Sequence, residues 1–264
     1  MAKKGAGGGI AEIVKTLVYA ILIALFVRSF FYEPFNIPSA SMVPTLLIGD
    51  YLFVSKFSYG YSRYSLPFSL PLISGRIFYR SPGRGDVAVF KLPCQFPQLS
   101  PDEAADQRTR CDTSVDYIKR IIGLPGDTIQ MRAGRLYING TMVPRAPTEG
   151  CRDPDDPRSA MAQHYIETLP SGVQHCIIQY GDAGILDNTE PFHVPPGRFF
   201  MMGDNRDNSA DSRDPGSGVG YVPAENLVGR AQFIFFSTNG YADWWEVWRW
   251  PFTVRYDRLL KSIR

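Results

Sequence analysis

Tyr117-Ile-Lys119-Arg120-Ile-Ile122-Gly-Leu-Pro-Gly126-Asp127 reads as a β-strand closed by a tight turn. β-Branched and aromatic residues suit a pleated surface, and the Gly, Pro and Asp that follow break it. Successive strand side chains point to opposite faces, so Lys119 and Arg120 separate. Their isoleucine neighbours draw at least one of the two cations out of water. The pattern extends in both directions. Thr128-Ile-Gln-Met131 and Arg135-Leu-Tyr-Ile-Asn139-Gly140 continue as a meander, with a turn at Asn139-Gly140. Upstream, Asp50-Tyr-Leu-Phe-Val-Ser-Lys56 and Gly85-Asp-Val-Ala-Val-Phe-Lys91 are strands, and 114–122 resumes one after a polar insertion at 93–113. Residues 59–78 mix glycine, proline and aromatics and read as a surface loop. Residues 145–160, dense in Pro, Asp, Gly and Arg, open an inserted lobe containing the strand Cys176-Ile-Ile-Gln-Tyr180. Strand-like sequence returns at 192–202 and 226–236. The expected fold is mostly β: an N-terminal transmembrane helix, then an antiparallel β-rich main domain interrupted by a smaller β lobe. The expected boundaries are 1–33 for a cytoplasmic tip and anchor, 34–144 and 195–240 for the main domain, 145–194 for the lobe, and 241–264 for an aromatic, basic tail.

The 264 residues can bury a sizeable core, and 24 glycines with 21 prolines favour short strands over long helices. A net charge of +2 with no basic stripe argues against a nucleic-acid partner. Residues 16–27 are uncharged and mostly apolar, between Lys15 and Arg28. Extended to 13–32, the run has 20 residues, about 30 Å of helix, enough to cross a bilayer. Phe30, Phe31 and Tyr32 then form an interfacial aromatic belt, Pro34 ends the helix, and Lys3 and Lys4 favour a cytoplasmic N-terminus. Two alternatives stand beside the anchor. One is a cleavable signal peptide, with Ser39-Ala-Ser41 offering small residues near a cut; the other is a buried core helix. An anchor or a signal peptide places the remainder outside the cytoplasm, where cysteines can oxidise. Cys94, Cys111, Cys151 and Cys176 permit three full pairings. Sequential pairing would staple two loop-rich segments, and free buried thiols are the alternative. At the other end, Trp244-Trp-Glu-Val-Trp-Arg-Trp250 suits a membrane interface, with Arg249, Arg255, Arg258, Lys261 and Arg264 toward anionic headgroups. A tail packed on the domain competes with that reading.

Three segments carry chemistry. Phe35-Asn-Ile-Pro-Ser39-Ala-Ser41-Met-Val-Pro44-Thr-Leu46 sets Ser41 between two prolines, which exclude a regular helix and can fix a hydroxyl in one direction. An ordinary serine-rich turn explains the same residues. A hydroxyl also needs a base. His164, His175 and His193 all fall in or beside the lobe, with no metal-binding or nucleophile-elbow motif, and read as structural. No serine precedes a lysine by three positions. Lys119 is the better base: an ammonium losing solvent has its pKa pushed down, and a neutral amine can take a proton. Its competing reading is a lysine that snorkels at the surface. Gly203-Asp-Asn-Arg-Asp-Asn-Ser209-Ala-Asp211-Ser-Arg213 supplies short polar groups; it lacks the spacing and closing glutamate of a calcium loop. Ser209 can orient the lysine, with Asp211 and Arg213 paired to hold the loop.

These segments, in this order behind an apolar N-terminus, resemble the bacterial type I signal peptidases, membrane-bound serine endopeptidases with a Ser–Lys dyad. The resemblance includes Gly49-Asp50 and spans most of residues 12–236. It implies Ser41 as nucleophile, Lys119 as general base, and the Ser39 hydroxyl with the Ser41 N–H as oxyanion hole. It also implies Ser209 as the residue that positions the lysine, with Asp211 and Arg213 as structural support. The activity implied is removal of signal peptides from exported precursors after small residues, through an acyl-enzyme, without metal or other cofactor. Phe35, Ile37, Met42 and Leu46 are expected wall residues of the substrate pocket. The implied setting is the bacterial inner membrane, single-pass, with the catalytic domain on the extracytoplasmic side. Membrane lipid and a neighbouring translocation machinery are the implied partners. Two other readings remain open: a self-cleaving Ser–Lys protease and a membrane-tethered binding or assembly module. The segment Asp214-Pro-Gly-Ser-Gly-Val-Gly220 departs from the shorter aromatic junction common in the family.

Overall fold

The Val-Ala-Val-Phe run at 87–90 has no polar alternation because the sheet it enters is covered on both faces. Val87 and Val89 point into one core with Leu52, Val54, Ala231 and Ile234. Ala88 and Phe90 point into a second core with Ile121, Phe199, Met201 and Val222. Burying each large aliphatic or aromatic side chain contributes about 1.5–3 kcal/mol, against ~0–1 kcal/mol for a surface ion pair such as Arg152–Glu149. The two-sided core therefore holds the domain.

The computed structural model describes residues 8–66, 69–93, 115–153, 155–214, 216, 218–240, 246 and 248–264. Helix α1 spans Gly8–Phe30. The strands are β1 (Tyr32–Asn36), β2 (Asp50–Ser55), β3 (Tyr61–Ser62), β4 (Arg76–Ile77), β5 (Val87–Lys91), β6 (Asp116–Gly123), β7 (Thr128–Arg132) and β8 (Arg135–Ile138). They continue as β9 (Thr141–Met142), β10 (Arg145–Pro147), β11 (Gln163–Thr168), β12 (Gln174–Gln179), β13 (Phe192–His193), β14 (Arg198–Met202), β15 (Tyr221–Pro223) and β16 (Leu227–Ser237). A seven-stranded antiparallel sheet runs β1-β2-β16-β5-β6-β14-β15. The meander forms a four-stranded sheet, β13-β7-β8-β9, and β10-β11-β12 form a three-stranded sheet of their own. The turn between β8 and β9 takes positive φ at Asn139 (53°) and Gly140 (78°), the geometry that Asn-Gly tolerates.

The apolar stretch Ala11–Phe30 forms one helix of membrane-crossing length, and only 6% of it is buried within the protein. That exposure removes the buried-core alternative. The helix stops two residues earlier than the sequence suggests. Tyr32 already belongs to β1, whose register pairs it with Ser55. Pro34 lies within β1 and does not terminate the helix; β1 is an edge strand, where a residue without an N–H is tolerated. A signal-peptide cut near Met42 would strip this paired strand from the sheet.

Cys151 and Cys176 form a disulfide, one of the pairs in the sequential arrangement. It closes a 25-residue separation, and cross-links over loops of that size contribute about 3 kcal/mol by restricting the unfolded chain. Cys94 and Cys111, most of the polar insertion, and Trp244 and Trp245 lie outside the described residues. Two expected headgroup contacts are corrected. Arg258 is buried and forms a two-pronged ion pair with Asp50, and Arg255 bonds Asp155, because both basic side chains fold back onto the sheet. Trp248 (67% exposed) and Phe252 (85%) do face outward.

Candidate active site

Pro38 and Pro44 confine the chain so that Ala40–Met42 makes a single tight 3₁₀ turn after β1. This turn presents Ser41 toward β6. Lys119, opposite Ala88 in the β5–β6 register, brings its Nζ within 2.6 Å of Ser41 Oγ. Its neighbour Arg120 takes the other face, as the pleat requires, and donates two bonds to Asp204 at 2.8 and 2.7 Å. Both cations are buried: Lys119 is 4% exposed and Arg120 0%.

Their environments differ in charge. Arg120 has a carboxylate. Burial alone would raise the Asp204 carboxyl, but the Arg120 guanidinium overrides it and holds Asp204 below the usual carboxylate range. Among the described residues, Lys119 has no such contact. Desolvation lowers its pKa from 10.5 to about 8, a fall that Asp211 and Asp204 partly oppose and Arg213 assists. A hydroxyl 2.6 Å from an amine that is neutral near pH 8 can hand over its proton.

The turn is gripped from the 203–213 segment. Asn205 N–H donates to the Ser41 carbonyl (3.1 Å), and Asn205 Nδ2 donates to the Ala40 carbonyl (3.2 Å). Asp211 accepts from Arg213 Nε and Nη2 at 2.9 and 2.8 Å, and from Gly203 N–H at 2.9 Å. Arg213 also donates to the Arg206 carbonyl (2.6 Å), and Arg206 forms a doubly bonded pair with Glu167 of β11. Thus the lobe reaches the serine through one buried charge network. Breaking such a pair by removing one partner typically costs ~3–5 kcal/mol, since the other charge stays buried.

The expected residues do not all take the expected places. Ser39 Oγ lies 3.5 Å from Ser41 Oγ. Phe35 and Ile37 line a cavity of about 390 Å³ with Tyr117, Ile118, Ser41 and Lys119. Met42 and Leu46 do not line it: both are 0% exposed, packed in the core with Leu52 and Val54, because the turn sends them inward. Ser209 is buried near the site, yet its Oγ has no hydrogen-bond partner among the described residues, Lys119 included. Two of the histidines are hydrogen-bonded elsewhere. His164 meets Ser159, and His193 meets Thr128. His175 lies 3.5 Å from Glu167, and its pKa is lowered to about 4 by burial and by Arg120. Sequence reasoning missed Asp204, Asn205 and Arg206 although it quoted their segment. Glu167 carried no local signal at all.

Gly203 is tight for a physical reason. A Cβ there would lie 2.2 Å from Ser209 Oγ and 2.5 Å from the Ser41 carbonyl oxygen. Gly203→Ala is expected to lower kcat/KM at least tenfold by displacing the Ser41 backbone, with a smaller fall in Tm. Unchanged kcat/KM would show that the turn is not held against Gly203.

The family described as signal peptidase, peptidase S26, matches residues 10–236. The signal peptidase I of Rickettsia conorii is 38% identical over 94% of this chain and 91% of its own. That of Rickettsia typhi is 39% identical over 94% and 92%. A solved signal peptidase I from Enterococcus faecalis is 23% identical, spans 57% of this chain and 97% of its own, and superposes at a TM-score of 0.30, too low to carry a structural argument. With a family match over 10–236 and relatives near 40% identity along almost the whole length, the chain belongs to the signal peptidases, the serine endopeptidases of family S26.

Proposed function

We propose that Ser41 is the nucleophile and Lys119 its general base, in an enzyme that removes signal peptides from exported precursors after small residues. The observation that carries this reading is the 2.6 Å contact between Ser41 Oγ and a buried amine at the edge of an apolar cavity. Neutral Lys119 accepts the Ser41 proton as Oγ forms its bond to the scissile carbonyl carbon. The oxyanion that results is held by the Ser39 hydroxyl and the Ser41 N–H, since donors fixed by the protein stabilise developing charge better than mobile water does. Protonated Lys119 then gives its proton to the leaving amine as the C–N bond breaks. A water, deprotonated by Lys119, hydrolyses the ester and frees Ser41. Asp211 and Arg213 fix the segment that grips the nucleophile turn; Ser209, whose Oγ makes no hydrogen bond among the described residues, is assigned no contact with Lys119.

The protein is a bacterial inner-membrane enzyme, anchored by α1, with its β-rich domain on the extracytoplasmic side. We further propose the division at 34–144, 145–194 and 195–240; the separate sheet of β10-β11-β12 supports it, although β13 within the middle segment pairs with β7 of the first.

The preference for small residues that the family resemblance implies sets the test of the cavity beside Phe35, Ile37 and Ile118. A precursor series with Gly, Ala, Ser, Val and Phe immediately before the cut is expected to fall at least 100-fold in kcat/KM from Ala to Phe, by steric exclusion. Mass spectrometry of the new N-terminus locates the cut. Equal kcat/KM for Ala and Phe would shift the reading to an unselective membrane protease. Cleavage only within this chain itself would support self-processing.

A further inference from the structure

The turn that carries Ser41 is wedged between two bodies of apolar side chains. Met42 and Leu46 go into the core of the main sheet with Leu52 and Val54. Val43 and Leu47 go the other way, into a buried cluster with Ala162 and Ile178, and Ala40 packs against that cluster. Ile178 lies in β12 and Ala162 just before β11, so this second body belongs to the inserted lobe. Residues on either side of Ser41 and Met42 therefore rest on the lobe. The Ile178 main chain is also tied to the segment that grips the turn. Its N–H donates to the Asp204 carbonyl and its carbonyl accepts from the Arg206 N–H, both at 3.0 Å, which sets it in a parallel bridge with Asn205. Asn205 in turn holds the Ala40 and Ser41 carbonyls. One lobe residue thus supports the turn with its side chain and the turn's clamp with its backbone.

That support has little freedom to yield. Strand β12 pairs with β11 along its whole length, and Cys176, two residues before Ile178, is cross-linked to Cys151. A β-branched side chain is stiff at χ1, so Ile178 offers the turn a fixed surface. Lys119 is held by other means, through the pairing of β6 with β5 in the main sheet. The 2.6 Å contact between Ser41 Oγ and Lys119 Nζ therefore joins a serine backed by the lobe to a lysine carried by the sheet. Displacing reacting groups by about 1 Å can cost about 10²-fold in rate.

We propose that Ile178 is a positioning residue for Ser41, through which the inserted lobe fixes where the serine oxygen stands. The proposal rests on Ser41 being the nucleophile. It is tested in the full-length enzyme in detergent, with kcat and KM for an exported precursor measured separately and Tm recorded on the same preparations. Ile178→Ala opens a cavity behind the turn and is expected to lower kcat by about tenfold or more, with KM changed by about twofold or less. Ile178→Val keeps the branch at Cβ and should retain kcat to within about twofold. Ile178→Leu conserves volume, so it is expected to fold even where the alanine variant does not. Its branch stands one carbon further out, and kcat should fall by about threefold or more. Leu169→Ala is the matched control. Leu169 is buried at the turn of the same hairpin but packs with Ile129, Val143 and Val194. Its variant should lose Tm as Ile178→Ala does and keep kcat to within about twofold. A smaller fall in kcat than expected for folded Ile178→Ala overturns the proposal, as does a smaller fall in Ile178→Leu where the alanine variant does not fold. An equal loss of kcat in Leu169→Ala overturns it as well, since general loosening of the lobe would then be responsible. Cleavage that persists in Ser41→Ala overturns the nucleophile assignment and this proposal with it. Loss of that cleavage, together with full kcat in Ile178→Ala, removes only the role of Ile178.

Discussion

Ser41→Ala is expected to reduce precursor cleavage by roughly 10⁴- to 10⁶-fold while the protein stays folded and membrane-bound. The substitution removes one oxygen, hydrogen-bonded to Lys119, from a residue that is itself 8% exposed, so little packing is lost. What disappears is the attacking atom, and hydrolysis by the rest of the site has no acyl-enzyme to pass through. The measurement is single-turnover cleavage of an exported precursor, with Tm recorded on the same preparations. Cleavage at the wild-type rate by a folded Ser41→Ala protein, with contaminating protease excluded, would take Ser41 out of the mechanism.

Lys119→Arg keeps a positive charge yet should be nearly as inactive. A guanidinium stays protonated throughout the working range and cannot serve as the neutral base. Wild-type kcat/KM should rise with pH and level off above about 8, where the lysine amine has lost its proton. The same burial that tunes the amine destabilises the fold. A lysine whose pKa falls from 10.5 to about 8 on folding binds fewer protons in the native state than in the unfolded chain between those values. Stability attributable to it therefore rises from pH 8 to 10.5, and below pH 8 the full penalty applies, on the order of 3 kcal/mol. Lys119→Met, inactive for want of a base, should consequently unfold at higher Tm at pH 7, and the gain should shrink toward pH 10.5. Comparable rates in Lys119→Arg and wild type, or a flat pH profile, would sink the proposed dyad.

Local sequence carried most of the fold. Apolar, β-branched runs and Gly/Pro stops marked β2, β5, β6, β7, β8, β12 and β14, while the burial of β5 on both faces emerged only in the folded sheet. The helix length came from a run of apolar residues, but its end did not. Tyr32 to Asn36 is claimed by pairing with β2, and no property of those five residues alone announces that partner. Wall residues were half legible: Phe35, Ile37, Met42 and Leu46 are all apolar neighbours of Ser41, and only the direction of the 3₁₀ turn separates cavity from core.

By itself the sequence determined the class of the chain, its apolar anchor, and the residue types able to perform serine chemistry without histidine. It did so because strand period, turn composition and apolar length are properties of neighbouring residues. Tertiary structure alone decided what those residues meet. Ser41 and Lys119 are 78 positions apart, Arg120 and Asp204 are 84 apart, and Arg258 reaches Asp50 across 208. Lys119 has its pKa lowered toward the range a base needs, and the guanidinium beside it is held as a strut, according to whether a carboxylate waits on its side of the sheet. That depends on burial and distance, which only the assembled fold supplies.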